Sequence, residues 1–190
     1  MQHTEILSHE PVPLEDMPKY DLFLSQVTEL LNEYFPDERF TGNIVQNYIK
    51  SEVITKPIHG KKRGYTIMHL IQLVFLCYMR PILTTEEIKK VFSLAFNEIN
   101  QPEDDIITWE DAYRIFLMIY RDSRNAENMT ANWADAKIDG ILVELKVNNE
   151  HLHQVRQFIK VLILITRAYN IKREVRSIMN AQAPTPKSEN

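Results

Sequence analysis

The sequence predicts an all-α protein with a small β-hairpin wing. Three observations lead there. Apolar residues recur at three- and four-residue spacing along most of the chain. Threonine-led capping boxes stand at 84–87 and 108–111. A β-branched run at 53–55 precedes a His-Gly-Lys-Lys turn, the pattern of a hairpin.

Residues 1–16 are polar, carry Pro11 and Pro13 and show no period, so a flexible tail is expected. From Pro18 the pattern is helical, with Leu22, Phe23, Val27, Leu30, Leu31 and Tyr34 on one stripe until Pro36 stops it. Thr41 caps a short second helix over about 42–51. The hairpin is expected over 53–66, Pro57 limiting its first arm to an edge-type strand. Thr66 starts a helix with an apolar face of Leu70, Leu73, Val74, Cys77 and Tyr78, and Pro81 ends it. The box at Thr84 opens another with Ile88, Val91, Phe92, Ala95 and Phe96 inward, and the box at Thr108 a fifth reaching Tyr120. Two more helices are expected over about 131–147 and 150–179, before a flexible tail at 181–190. Seven helices and one hairpin result.

Composition narrows the function. The chain has 190 residues, 44% apolar and 25% charged, as an ordinary soluble protein does. Its single cysteine excludes an internal disulfide framework and fits a reducing cytosol. The N-terminus lacks the basic and apolar regions of a secretory signal, and no purely apolar run, 161–165 among them, is long enough to cross a membrane. A cytoplasmic protein is expected. Four glycines leave no Gly-rich phosphate cradle, so no nucleotide cofactor is expected.

Three of those glycines fall at 40–65, together with a basic cluster. Over residues 41–70, Lys50, Lys56, Lys61, Lys62 and Arg63 stand against Glu52 alone, a local net of +4 in a chain of net −4. The remainder therefore carries −8, and a local sign so different from the whole selects an anionic partner. On the second helix Ile44, Val45, Tyr48 and Ile49 form the face to be buried. Asn43, Gln46, Asn47 and Lys50, at i, i+3, i+4 and i+7, share the opposite one. An Asn or Gln amide offers a donor and an acceptor together, matching the major-groove edge of adenine, while Lys50 suits a phosphate. The bland reading is the polar outer face of any amphipathic helix. Lys61, Lys62 and Arg63 at a solvated tip flanked by Gly60 and Gly64 add three phosphate contacts, against the alternative of a lysine-guarded edge strand.

The run FTGNIVQNYIKSEVI at 40–54 resembles the recognition helix of MerR-type regulators, including the capping hydroxyl and an aromatic near the helix end. Arg63-Gly64-Tyr65-Thr66 with His69, Leu70 and Leu73 is similar to that family's passage from wing to helix, and 83–88 to its next helix start. The longer span from Met17 to Asn100 more closely resembles a Bacillus YkrK-like family of Gram-positive bacteria, mostly uncharacterised, with a MerR-like DNA-binding region. The resemblance implies a MerR-like winged helix-turn-helix over 17–100, followed by a C-terminal helical bundle over 101–180. It implies transcription regulation, with Asn43, Gln46, Asn47 and Lys50 reading bases and Lys61, Lys62 and Arg63 as wing contacts. Two features depart from the MerR pattern: Glu52 stands where a glycine is usual, and 36–39 interrupts the tight turn before the second helix.

Other chemistry finds little support. The stretch 100–111 has the acids of a calcium loop but Pro102 at a ligand position and no glycine at the sharp turn, so no metal is expected. His151 and His153, two apart, diverge on a helix instead of converging on an ion, and His69 is read as a helix-surface histidine near the wing. Cys77, in an apolar run, reads as a small buried hydrophobe, and no nucleophile constellation has local support, so no enzyme is expected.

In the last helix Val155, Phe158, Leu162, Ile165 and Tyr169 keep a/d spacing, widened by Ile159, Val161, Ile163, Leu164 and Ala168. Trp133, Ile138, Ile141, Leu142 and Leu145 cover part of that stripe as an antiparallel pair, and the rest would suit a twofold dimer or a closed intrachain bundle. The expectation is a homodimeric regulator of double-stranded DNA, a repressor by default. The alternative is a protein-interaction module meeting an acidic protein through the same surface.

Overall fold

The computed structural model describes residues 11–57, 64–123 and 131–181. The described residues form seven α-helices: α1 (Leu24–Tyr34), α2 (Gly42–Lys50), α3 (Ile67–Met79), α4 (Thr85–Phe92), α5 (Trp109–Ser123), α6 (Ala131–Leu145) and α7 (Leu152–Ala181). Single 3-10 turns stand at Leu14–Asp16 and Pro102–Asp104. The all-α expectation agrees with this architecture.

The β-hairpin wing does not. Among the described residues there is no strand, only an isolated antiparallel bridge between Leu22 and Tyr65. Tyr65 thus pairs with a residue before α1 and not with the 53–55 run, through Leu22 N–H to Tyr65 O at 2.8 Å and Tyr65 N–H to Leu22 O at 3.3 Å. The 53–55 run could not supply a ladder, because its donors are taken elsewhere. Val53 and Ile54 donate to the Tyr48 carbonyl at 2.9 and 3.3 Å. Thr55 N–H donates to Gln72 Oε1 at 3.0 Å, and Lys56 N–H to Asn100 Oδ1 at 2.9 Å. Val53 and Ile54 are wholly buried, so their β-branched side chains serve the core and not a sheet. A winged helix-turn-helix is therefore not the fold of this chain. The expected turn at 58–63 lies outside the described residues.

Leu22, expected in the first helix, lies in that bridge, and α1 begins at Leu24, where Gln26 Oε1 accepts the Phe23 backbone N–H at 3.0 Å. Helix α3 is buried on every side from His69 to Met79, not on one face, which makes it the central rod of the molecule. Around it α5 and α7 pack against each other and against α3, and α6 lies on α7 with Ile138, Ile141 and Leu142 buried in the seam. One aromatic cluster joins these layers. Phe96 stacks on Trp109 at 3.5 Å, Tyr78 meets Phe116 at 4.8 Å and Tyr169 at 4.6 Å, and Phe75 meets Phe116 at 5.5 Å. Near the start of the described chain, the Val12 carbonyl accepts the Tyr113 hydroxyl at 2.7 Å.

Candidate nucleic-acid interface

Helix α2 is held from three directions, which fixes the face it turns outward. Its N-cap is Thr41, whose hydroxyl accepts the Ile44 N–H at 3.4 Å. Its first residue, Gly42, lies against α1 so closely that a Cβ there would sit 3.2 Å from the Leu24 side chain. Its apolar face buries Val45 and Ile49, with Ile44 and Tyr48 half-buried beside them. The connection from α1 is clamped by Asn32. That carboxamide donates to the Phe40 carbonyl at 2.9 Å and the Thr28 carbonyl at 2.8 Å, and accepts the Phe40 N–H at 2.8 Å. The residues at 36–39 that interrupt a tight turn are thus spanned by a side-chain clip.

The C-terminal end of α2 is a Schellman turn. Glu52 N–H bonds the Ile49 carbonyl at 3.0 Å and Val53 N–H the Tyr48 carbonyl at 2.9 Å, which places Glu52 at the left-handed position with φ 56°. Glycine is the usual occupant there because a Cβ is strained in that conformation. The departure at Glu52 therefore leaves the turn intact and costs backbone strain.

Of the residues expected to read bases, Asn43, Asn47 and Lys50 are exposed on one side of α2. Gln46 is not free to join them. It is half-buried, and its Nε2 donates to the Tyr65 hydroxyl at 3.0 Å. Burial raises the Tyr65 hydroxyl above the usual tyrosine range, against a smaller lowering by the Gln46 bond, so it stays a neutral partner. Tyr65 also meets His69 edge-on at 5.6 Å. His69 Nδ1 accepts the Thr66 N–H at 3.1 Å, closing a cap at the start of α3. Its Nε2 is buried without a well-formed hydrogen bond, the Lys56 carbonyl acting on it only weakly. His69 is therefore a buried capping residue and not a surface histidine. Lys61, Lys62 and Arg63 lie outside the described residues.

Beside Asn47 runs an open cleft of about 520 Å³, lined by Ile44, Tyr48, Ser51, Arg80 and Thr85 as well. Arg80 stacks on the Phe40 ring at 4.5 Å and pairs with Glu38 at 3.4 Å. Glu38, nearly buried, also meets Lys172 at 3.6 Å and Arg176 at 3.9 Å, so the connection before α2 is tied to both α3 and α7. Three cations thus converge on one carboxylate.

The stretch first weighed as a calcium loop uses its acids locally. The Asp104 carboxylate accepts the Glu98 N–H at 3.4 Å, and the Asp111 carboxylate accepts the Thr108 hydroxyl at 2.8 Å and Arg114 at 2.9 Å. Cys77 is wholly buried, and burial pushes its thiol up, away from thiolate chemistry.

Residues 12–116 match the family model described as Domain of unknown function (DUF1836). The chain belongs to the DUF1836 family. In this DUF1836 chain the matched span runs from the residues before α1 into α5, so it contains α2, the Asn32 clip and the 58–63 segment, while α6 and α7 follow it. No curated protein and no solved structure matches the chain. Neither Asn32 nor Glu38 was singled out by sequence reasoning. The signal that could have found Asn32 is a lone amide at the end of an apolar stripe.

Proposed function

We propose that this DUF1836 chain is a cytoplasmic DNA-binding transcriptional regulator, a repressor, in which the exposed side of α2 enters the major groove. The observation that carries the reading is the row Asn43, Asn47 and Lys50 on a helix whose opposite face and both ends are fixed by the fold. Asn43 and Asn47 offer paired donor and acceptor groups to base edges, and Lys50 meets a phosphate. Gln46 acts through Tyr65, as a positioning residue. Lys61, Lys62 and Arg63, between Pro57 and Gly64 in sequence, add phosphate contacts. The local net of +4 over residues 41–70, against −8 elsewhere, favours a polyanion such as a duplex as the partner of this segment. Two copies of the chain would grip two half-sites, since a few phosphate contacts bind weakly at physiological salt. Among the described residues no helix is long and apolar enough to cross a membrane.

The test is a titration of the intact protein against the DNA upstream of its own coding sequence and against a scrambled duplex of the same length. Tighter binding to the upstream DNA is expected, and equal affinity for both would overturn a sequence-specific regulator. A second reading draws on the cleft beside Asn47. Its walls of Ile44 and Tyr48 with Arg80 suit an apolar side chain next to a carboxylate, as an acidic protein partner would supply. Capture of such a partner by a chain that binds neither duplex would favour it.

A further inference from the structure

Helix α7 is apolar on two opposite sides. One side, with Val155, Phe158, Leu162 and Tyr169, is buried in the core. On the other, Leu164, Ile171, Val175, Ile178 and Met179 are each half or more exposed, at 50–66%. From Asn170 onward no described residue of α7 is buried. The exposed set has an order that scattered surface residues lack. With the half-buried Val161 and Ala168, the exposed Leu164, Ile171, Val175 and Ile178 alternate spacings of three and four, an unbroken a/d seam. It runs for about 26 Å along the helix, at 1.5 Å per residue.

We infer that a second copy of this chain covers the seam, the two α7 helices packing antiparallel. In that arrangement a layers face d layers, so Leu164 meets Val175 of the second copy, Ala168 meets Ile171, and Val161 meets Ile178. Charge selects the direction. Arg167 and Glu174, both exposed, occupy successive g positions along one edge of the seam, and antiparallel packing places each opposite the other twice. Parallel packing would instead bring Arg167 against Lys172, two like charges, with Lys172 already beside Glu38 at 3.6 Å. The exposed side chains offer apolar surface on the order of 400 Å² per copy, more than a scattering of single residues leaves. With the flanking charged stems this reaches the small end of specific interfaces, so the dimer is concentration-dependent.

The inference supplies the second copy that the regulator reading calls for, but stands on α7 alone, and the two fail separately. Light scattering and sedimentation equilibrium of the intact chain should give twice its 22.4 kDa at micromolar concentration. Ile171→Glu should give the monomer mass with an unchanged far-ultraviolet spectrum, because the side chain is outside the core. Arg167→Glu should weaken the dimer at least tenfold, and Arg167→Glu with Glu174→Arg should restore it. A monomeric native chain, or an Ile171→Glu variant that still dimerises, would overturn the seam. A tighter dimer in Arg167→Glu would overturn the antiparallel direction. A dimer of the expected kind with no preference among DNA sequences would leave the seam standing and remove the regulator.

Discussion

The side chain of Asn32 and the backbone of Phe40 close a two-way hydrogen-bonded pair, N–H to Oδ1 at 2.8 Å and Nδ2 to carbonyl at 2.9 Å. Phe40 is buried, so neither of its backbone groups has water as a substitute. Asn32→Ala leaves both unsatisfied and should lower stability by about 2 kcal/mol in urea unfolding. Asn32→Asp keeps the acceptor but sets a carboxylate oxygen against the Thr28 and Phe40 carbonyls, and should lose at least as much. A native midpoint in Asn32→Ala would mean that the approach to α2 is fixed elsewhere.

Glu52 gives a stabilising substitution. At φ 56° its Cβ is strained, and glycine releases that strain at some cost in chain entropy. Glu52→Gly should gain about 0.5–1 kcal/mol, read as a higher melting temperature. Glu52→Ala keeps the strain and should gain nothing.

The contacts of Glu38 with Arg80, Lys172 and Arg176 join the connection before α2 to α3 and α7. Glu38→Gln keeps the shape and removes the charge, leaving three cations facing one another. A loss of about 2 kcal/mol is expected, below the value for a fully buried pair because Lys172 and Arg176 are partly solvated. High salt should reduce the difference between the two proteins.

Two groups give opposite pH trends. Burial lowers the pKa of His69 below 6.5, so between its folded and unfolded values the unfolded chain binds the extra proton. That stability is fully present above about pH 6.5 and is lost as the pH falls from there towards the folded value. His69→Gln keeps an acceptor for the Thr66 cap and should remove this acid-side loss. Asp105 runs the other way. Burial first, then Asp104 and Glu103, raise its carboxyl to about 7, so the fold is penalised as pH rises from about 4 to 7. Asp105→Asn should therefore stabilise the protein at neutral pH. The gain is about 1 kcal/mol, well short of the full shift, because the group is half in solvent. Unfolding measured at pH 5 and pH 7.5 checks both.

Lys62 should contribute charge and no sequence preference. Lys62→Ala is expected to weaken binding to all duplexes about equally and to flatten the dependence of log affinity on log salt by about one. An unchanged slope would remove the basic run from the interface.

Local signals were legible in the sequence and distant ones were not. Thr41 and Thr84 each announce a helix start through a hydroxyl that bonds the backbone three residues on, and both cap in the structure. The split of α2 into a buried side with Val45 and Ile49 and an exposed side with Asn43, Asn47 and Lys50 follows from helical period alone. The hairpin failed because β-branched residues mark burial as well as strands, and here Thr55 finds its partner in Gln72, a residue no short window connects to it. Gln46 looked like its neighbours on α2 until the fold brought Tyr65 against it. The full burial of α3 was hidden for the same reason: Gln72 reads as polar until Thr55 satisfies it.

The role of the exposed side of α2 is tested most directly by Asn47→Ala, comparing the ratio of affinities for upstream and scrambled DNA with that of the native chain. Asn47 is exposed, so the fold should be unaffected. The expected result is a ratio about tenfold smaller, through weaker binding to the upstream DNA with the scrambled duplex unchanged, as the loss of one two-point base contact gives. An unaltered ratio, or equal weakening on both duplexes, would contradict base reading by α2.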